Sequence, residues 1–260
     1  MDFQSFTALE LYCLAYLCGK TKMYGIPDPL SQLADEQKSE TLDSTITSFI
    51  DRGILVMDFD GNQALQQEYE MLVSVFCDCD KCLIVNIANP GKEEKNLVVW
   101  KTNQSVFFAE KVDDVYSIST VQEYTIRSIF NPFFSELCDG ESSIESTVLN
   151  LSLIKASRAA EKGDLQAALR ILKQDGVCDS IAGVVIDGMQ KKAMYLGCLL
   201  IEIDKEHGNS EKSSAFLCSR NRMLHLTQRY RNLRNCTSFG SISKEDAIKE
   251  VNGILDVFFV

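Results

Sequence analysis

An internal repeat is the feature that most constrains the fold of this chain. Three short segments have similar counterparts later in the sequence at separations of 123, 116 and 124 residues: 47–54 aligns with 170–177, 82–87 with 198–203, and 117–119 with 241–243. Two similar units in a chain of 260 residues predict a pseudo-two-fold molecule, because a solenoid needs three or more shorter repeats. We therefore predict an α+β fold with a duplicated unit and a central antiparallel sheet flanked by helices.

The spacing of apolar residues predicts the elements of each copy. Helical spacing occurs over residues 7–20, 41–52, 64–76, 120–130, 144–162, 165–174, 181–194 and 243–258. Strand patterns occur over residues 54–59, 82–87, 96–101, 105–110, 116–119, 195–204, 214–219, 223–230 and 237–241. The strand connections are too short for crossovers, so they predict antiparallel pairing. The polar segment 139–143 predicts a boundary between one unit over residues 1–140 and a second over 141–260, with one sheet shared by both.

Composition and charge are those of a folded protein whose first half is acidic. Residues 1–140 contain 10 Lys and Arg against 22 Asp and Glu, a net charge of −12, while residues 141–260 contain 16 against 15, a net charge of +1. An acidic field repels phosphate, which disfavours nucleic acid as a partner.

The N-terminal segment and the cysteines favour a cytoplasmic location. The apolar residues 9–18 follow no basic region and are interrupted by Glu10, so we expect a helix with one buried face rather than a signal peptide. No apolar run reaches the length of about 18 residues that crosses a membrane, so membrane insertion is not expected. The 10 cysteines are best interpreted as reduced and packed like small apolar side chains.

The cysteine cluster formed by Cys77, Cys79 and Cys82 is the feature closest to a metal site. A structural zinc needs four ligands, usually as two spaced pairs, and the chain has only His207 and His225 to add imidazoles. No glycine-rich phosphate loop or nucleophile elbow occurs in the sequence. We therefore expect no bound metal, no cofactor and no enzymatic activity.

Residues 212–244 contain no acid but five arginines: Arg220, Arg222, Arg229, Arg231 and Arg234. Alternate residues of a strand project to one face, so the pattern predicts a positive stripe. Three interpretations stay open. The stripe is a structural face, either solvated or complementary to the acidic first half, or it is a docking stripe for an acidic partner segment that uses Arg220 and Arg222. Nucleic acid is a third and weaker option, since the field of the whole chain opposes it.

Residues 41–65 offer an alternative function. A helix, a glycine, a strand and a turn occur there in the order found in the recognition helix and wing of a winged-helix transcriptional regulator. Such a helix presents basic and amide side chains to DNA, whereas this one carries only Arg52 against Asp43 and Asp51. A DNA-binding regulator is therefore the second hypothesis, behind a platform that binds protein.

Four features occur in one order along the chain: a leading helix over residues 6–17, a short helix that ends in FIDRGIL at 49–55, a meander over 82–110, and a second copy that ends in a C-terminal helix. In this combination the chain resembles the EspG-type proteins of type VII (ESX) secretion loci. The resemblance covers almost the whole chain. It implies a cytoplasmic, non-enzymatic chaperone, monomeric or weakly dimeric, that holds helical secreted proteins or heterodimers of the WXG100 or PE/PPE-like class before export.

The resemblance also implies where such a partner binds. The nearest equivalents of the family's contact region are the loop over residues 89–96, the sheet residues Val106, Phe107, Phe108, Met223 and Leu224, and the helix residues Ile254, Leu255 and Phe258. An apolar sheet face there would receive an amphipathic helix. Each of these residues could equally belong to the core.

Overall fold

The computed structural model describes residues 5–31, 33–57, 63–137, 145–204, 206–219, 221–231 and 234–260. The elements follow in this order: β1 (Phe6–Thr7), α1 (Ala8–Leu17), α2 (Asp35–Asp51), β2 (Leu55–Met57), β3 (Gln63–Leu65), α3 (Gln67–Cys77), β4 (Lys81–Ala88), β5 (Lys95–Lys101), β6 (Val106–Val112), β7 (Val115–Val121), α4 (Glu123–Ile129), α5 (Asn131–Glu136), β8 (Glu145–Leu149), α6 (Asn150–Glu161), α7 (Leu165–Gln174), α8 (Asp179–Met189), β9 (Met194–Glu202), β10 (Ser210–Ser219), β11 (Arg222–Arg231), β12 (Arg234–Ser241) and α9 (Lys244–Phe259).

Ten of these strands form a sheet in the order β1-β7-β6-β5-β4-β9-β10-β11-β12-β8, and β2 and β3 form a separate hairpin. The pairs β1–β7, β6–β7, β10–β11, β11–β12 and β12–β8 are all antiparallel. The predicted α+β class, a large antiparallel sheet flanked by helices, is confirmed. The same succession of a strand, three helices, four strands and a helix occurs in residues 6–129, where a hairpin is added, and in residues 145–259.

Local signals placed several elements correctly. Helix α7 has the predicted bounds, and Ser243 caps α9 as predicted by accepting a hydrogen bond of 3.1 Å from the backbone N–H of Asp246. Helix α8 ends at Met189 instead of 194 because the chain turns there, with Lys191 at a φ of 56°.

A strand replaces the start of a predicted helix at two places. The predicted helix over 144–162 is wrong in its first part, because β8 pairs with β12 before α6 begins. Thr147 and Ser238, 91 residues apart, share a side-chain hydrogen bond of 2.9 Å across this pair. The predicted helix over 64–76 likewise begins with β3, which pairs with β2. In both cases a partner strand satisfies the backbone in a way that local spacing does not show.

The chain divides into two compact units, each built from discontinuous segments. Unit 1 is Met1–Ile84, Leu97–Glu123 and Ile201–Ser210, and unit 2 is Val85–Asn96, Tyr124–Leu200 and Glu211–Val260. The predicted boundary at 139–143 lies outside the described residues. The organisation into units over 1–140 and 141–260 stays a prediction.

Unit 1 packs α1, α2 and α3 around an aromatic core. Phe6, Phe49, Phe76 and Trp100 are fully buried there. The indole Nε1 of Trp100 donates a hydrogen bond of 2.7 Å to the carbonyl oxygen of Tyr24. The polar edge of the only tryptophan is therefore satisfied inside the core.

Unit 2 packs α6, α7 and α8 in a second core. Alanines at the contact positions of these helices, including Ala156, Ala160 and Ala168, are buried against larger aliphatic side chains such as Leu172 and Ile181. Small residues at the contact let the helices approach closely. This arrangement positions α6 and the end of α8 beside the site described next.

Candidate functional site

A groove with a volume of about 830 Å³ lies within unit 2. Helix α6 and the end of α8 line two of its sides, residues 86–96 line a third, and β10, β11 and β12 line its floor. The lining is mainly apolar and includes Leu153, Ile154, Val185, Met189, Leu226 and Phe239. The loop over 89–96, which the family resemblance implied as a contact region, contributes to this lining.

The depth of the groove depends on a close approach between α8 and the sheet. Gly188 lies on α8, and a Cβ atom added there would lie 2.9 Å from the methyl carbons of Leu217 on β10. Leu217 is buried, so it has little room to move. Glycine at this helix position therefore lets α8 pack directly on the floor of the groove.

Two ion pairs hold the loop at the side of the groove. Lys92 Nζ lies 3.0 Å from Glu136 Oε1 of α5, and Glu94 Oε1 lies 2.8 Å from Lys191 Nζ just after α8. Gly91 turns the loop with a φ of 73°, a conformation that side chains rarely adopt. Each pair is well exposed, so water screens it and it is weak, and a partner can displace the loop at small cost.

Two polar residues of the lining, Gln228 and Thr237, belong to a small hydrogen-bond network that also includes Asn150 of α6. Asn150 Nδ2 donates to Gln228 Oε1 (3.2 Å), Gln228 Nε2 donates to Thr237 Oγ1 (3.2 Å), and Thr237 Oγ1 donates to Asn150 Oδ1 (2.9 Å). Asn89 Oδ1, by contrast, is buried and finds no hydrogen-bond partner among the described residues. A buried acceptor without a partner costs free energy, so this oxygen is a position where a bound molecule gains by donating a hydrogen bond.

Helix α6 packs Leu153 against the core of unit 2 but leaves two other large apolar side chains exposed. Its buried positions carry Ala156 and Ala160, which are 0% and 6% exposed. Leu151 and Ile154 are 61% and 50% exposed. Packing on unit 2 therefore does not account for these two aliphatic side chains, and Ile154 also lines the groove. Exposed aliphatic side chains beside a groove are typical of an interaction surface.

Ionisable side chains are a minority of the described residues that line the groove. The charged residues that line it are Lys92, Glu94 and Lys191, and all three belong to the ion pairs of the loop. Burial raises the pKa of Tyr195, so its phenol stays protonated near neutral pH. No histidine, cysteine or aspartate is among the described residues of the lining. The described lining therefore offers mainly apolar surface to a bound molecule.

The apolar residues that the resemblance implied as contacts do not line the groove. Phe107, Met223, Leu224, Ile254, Leu255 and Phe258 are buried, and Val106 and Phe108 are half-buried on β6. Burial explains the apolar character of the six buried residues without a partner. Their role as partner contacts stays a prediction.

The arginine stripe is only partly described. Arg220 lies outside the described residues. Arg222 begins β11 opposite Ser219 of β10 and is half-buried, and it interacts with other groups of the protein. Arg222 is therefore engaged within the chain, and docking of a partner on this pair stays a prediction.

Residues 41–65 do form the helix and hairpin expected of a wing, except that 58–62 lie outside the described residues. Helix α2 starts earlier than predicted and adds Asp35 and Glu36 to its acidic surface. Arg52 pairs with Glu10 of α1. The region therefore presents acidic side chains and a base that is already paired, which is unfavourable for contact with DNA.

The cysteine cluster is packed as apolar side chains. Burial raises the pKa of Cys77 and of Cys79 to about 12 each, and the pKa of Cys82 is raised well above its ordinary value for the same reason. A metal binds the thiolate, so this environment disfavours one. Within the described parts of the chain, no three His, Cys, Asp or Glu side chains are grouped as metal ligands. Likewise, none of the described helices has the length and apolar character needed to span a bilayer.

Comparisons with known proteins identify the fold. No protein-family model and no curated protein matches the sequence. A solved structure of the Mycobacterium tuberculosis type VII secretion system chaperone EspG5, in complex with a PE25–PPE41 dimer, matches 98% of this chain and 96% of its own, with a TM-score of 0.53 and 11% identity. The chain has an EspG-like fold. The resemblance predicted from the sequence is confirmed at the level of the fold.

Sequence reasoning missed the helical side of the groove in this EspG-like chain. It predicted a helix around α6 but assigned no contact residue to it. The available signal was the pattern on α6 itself, where Leu151 and Ile154 lie on a different side of the helix from Leu153, Ala156 and Ala160, so that the apolar residues do not form one face. The contribution of β10 to β12 could not be found in this way, since their faces depend on strand register.

Proposed function

We propose that this protein is a non-enzymatic chaperone or adaptor that binds a helical secreted protein, or a heterodimer of such proteins, before export by a type VII secretion system. The observation that carries the proposal is the match over nearly the whole chain to EspG5, a chaperone whose structure was solved with a PE25–PPE41 dimer. The partner would be of the WXG100 or PE/PPE-like class and would be encoded at the same locus.

The groove of unit 2 supports this proposal by its shape and chemistry. Its apolar lining and the exposed Leu151 and Ile154 suit the apolar face of a helix. Each 100 Å² of apolar surface buried there would contribute about 2.5 kcal/mol before the costs of association. A chaperone that shields such a face would keep an otherwise aggregating partner in solution.

The proposal includes a cytoplasmic location, a monomer or weak dimer, and an origin by internal duplication. The repeated succession of elements supports the duplication, with β1 beside β7 at one end of the sheet order and β8 beside β12 at the other. Binding by one copy or by both is compatible with this layout.

Co-expression tests the function directly. The chain would be tagged and expressed with each pair of small helical proteins from its locus, and the amount of soluble, co-purified partner would be measured. We expect one pair to be retained by the wild-type protein at a stable stoichiometry. We expect the double variant Leu151→Glu/Ile154→Glu to lose it.

Tyr16→Glu is the matched control, because Tyr16 is 57% exposed on α1 of unit 1 and is distant in sequence from the groove. Both proteins must show the same thermal unfolding midpoint as the wild type. Failure of every helical pair of the locus to co-purify with the wild-type protein would overturn the proposed function. Retention of a pair by the double variant would show that the groove is not the binding site for this pair.

A further inference from the structure

We infer that the exposed face of α6 selects an acidic amphipathic helix as the occupant of the neighbouring groove. The inference deepens the proposed function, on which it rests, by specifying the chemistry of the partner segment. The face consists of Leu151, Ile154, Lys155 and Arg158, which we call the α6 stripe. All four side chains are exposed.

The four residues form a continuous line on the helix. They occupy positions i, i+3, i+4 and i+7, which lie on one side of an α-helix. The stripe rises by about 10 Å from Leu151 to Arg158 at 1.5 Å per residue. Its first half is aliphatic and its second half is basic, so it has a direction that a complementary helix must match.

The two bases of the stripe are available. Neither Lys155 nor Arg158 forms an ion pair with any residue in the described parts of the chain. Glu161 lies one turn beyond Arg158, but it accepts a hydrogen bond of 3.1 Å from Ser157 instead. Two adjacent cations without a carboxylate favour a partner that supplies one.

The apolar half of the stripe continues into the groove. Ile154 belongs to both, and Leu153 and Ser157 of the same helix also line the groove. A helix that lies along α6 would therefore place apolar side chains in the groove and on Leu151, and Asp or Glu about one turn away against Lys155 and Arg158.

The shape of the site favours a helix over a membrane surface. Exposed aliphatic residues beside bases also occur on helices that lie on anionic lipid. A bilayer is flat, however, and could not fill a concavity of about 830 Å³ next to the stripe. The residues of unit 2 include 18 Lys and Arg against 16 Asp and Glu, a net charge of +2, so its overall field does not repel an acidic segment.

Two synthetic peptides test the inference without the natural partner. Both peptides are helices of about 20 residues with leucines at the same positions on one face. The positions that flank this face are Glu in the first peptide and Lys in the second. Binding of each labelled peptide to the full-length protein would be measured by fluorescence anisotropy. We expect the acidic peptide to bind about tenfold more tightly, as two exposed ion pairs would give, with the preference reduced by added salt.

Charge reversal provides the decisive variant. Lys155→Glu/Arg158→Glu should invert the preference between the peptides, and Leu151→Ser/Ile154→Ser should weaken both. Lys249→Glu on α9 is the matched control, because Lys249 is also an exposed base on a helix of unit 2 and should leave both affinities unchanged. All substituted residues are exposed, so the unfolding midpoints should stay close to that of the wild type.

Several results would overturn the inference. In the peptide assay, these are equal affinity of the wild type for both peptides or an unchanged preference in the charge-reversed variant. Sedimentation with anionic vesicles that depends on the stripe would indicate a membrane surface instead. Self-association that the charge reversal abolishes would indicate a second copy of the chain as the occupant. The two proposals separate cleanly. If a partner from the locus binds equally well after the charge reversal of Lys155 and Arg158, only the role of the α6 stripe is contradicted. If the peptides show the expected preference but no protein of the locus co-purifies, only the chaperone function is contradicted.

Discussion

Glu10 connects the start of helix α1 to the end of helix α2 through Arg52. Its Oε2 accepts a hydrogen bond of 2.7 Å from the backbone N–H of Thr7 in a capping box, and its Oε1 pairs with Arg52 Nη1. The guanidinium carbon of Arg52 also lies 5.6 Å from the ring centroid of Phe6. One carboxylate thus stabilises a helix start and a contact between helices of unit 1.

We expect Glu10→Ala to destabilise the protein by about 1 to 2 kcal/mol, because it removes the ion pair and the Glu10 half of the capping box, while the backbone N–H of residue 10 still bonds to Thr7. Arg52→Met should cost less, at most about 1 kcal/mol, since both halves of the capping box remain. Urea unfolding followed by the fluorescence of Trp100 measures both. Lys38→Met is the control, because Lys38 pairs with the exposed Asp35 and its loss should cost almost nothing. Equal losses for Glu10→Ala and Lys38→Met would contradict the role of Glu10.

Two glycines with the same backbone conformation should respond differently to alanine. Gly25 and Gly91 have φ values of 77° and 73°. An added Cβ at Gly25 would lie 2.4 Å from Val98 Cγ1, whereas at Gly91 it would meet nothing within 4 Å. We expect Gly91→Ala to cost about 1 kcal/mol from backbone strain, and Gly25→Ala to cost about 2 to 4 kcal/mol from strain and overpacking.

Urea midpoints of the two glycine variants provide the comparison. The double variant Gly25→Ala/Val98→Ala should lose less unfolding free energy than the sum of the losses in the two single variants, because the smaller side chain at position 98 removes the clash. Equal costs at Gly25 and Gly91 would show that packing against Val98 is unimportant.

The unpartnered oxygen of Asn89 should lower the stability of the free protein and strengthen the binding of a partner. Asn89→Leu removes a buried acceptor that lacks a donor, so we expect the free protein to become more stable by up to about 1 kcal/mol. The same change should weaken retention of a partner that donates a hydrogen bond there. Asn96→Leu, at another asparagine of the groove lining, controls for added apolar surface. A loss of stability in Asn89→Leu would argue that the oxygen is satisfied in solution.

His225 should make stability depend on pH. Its Nε2 lies 2.9 Å from Ser214 Oγ, and its ring stacks on Phe216 with centroids 5.1 Å apart. Burial lowers the pKa of His225, although Glu250 acts in the opposite direction. The folded state therefore binds its proton less readily than the unfolded state, and this contribution to stability is present above about pH 6.5 and is lost as the pH falls through the lowered pKa.

Unfolding free energies between about pH 7 and pH 5 should show this loss, and His225→Gln should reduce the slope. His207→Gln, at the other histidine of the sequence, is measured in parallel to show the effect of removing an exposed imidazole. An identical slope in the wild type and in His225→Gln would contradict the prediction.

Elements that depend on nearby residues were predicted correctly, whereas elements that depend on contacts distant along the chain were not. The bounds of α7 and the capped start of α9 follow from residues within one or two turns, so local sequence was sufficient for them. The strand β8 was predicted as a helix because its partner β12 lies far along the chain. The loop over 89–96 lines the groove, and its role as a partner contact, which only the family resemblance implied, stays a prediction.

Periodicity, caps and charge counts were enough to predict the type of most elements, the α+β class and the acidic character of the first half. Which apolar residues belong to the core and which form a surface followed only from the folded chain. Phe107 and Leu224 became buried, while Leu151 and Ile154 remained exposed. The physical reason is that exposure depends on which helix and which strand face pack together, and this packing is a sum of long-range contacts that no local pattern records.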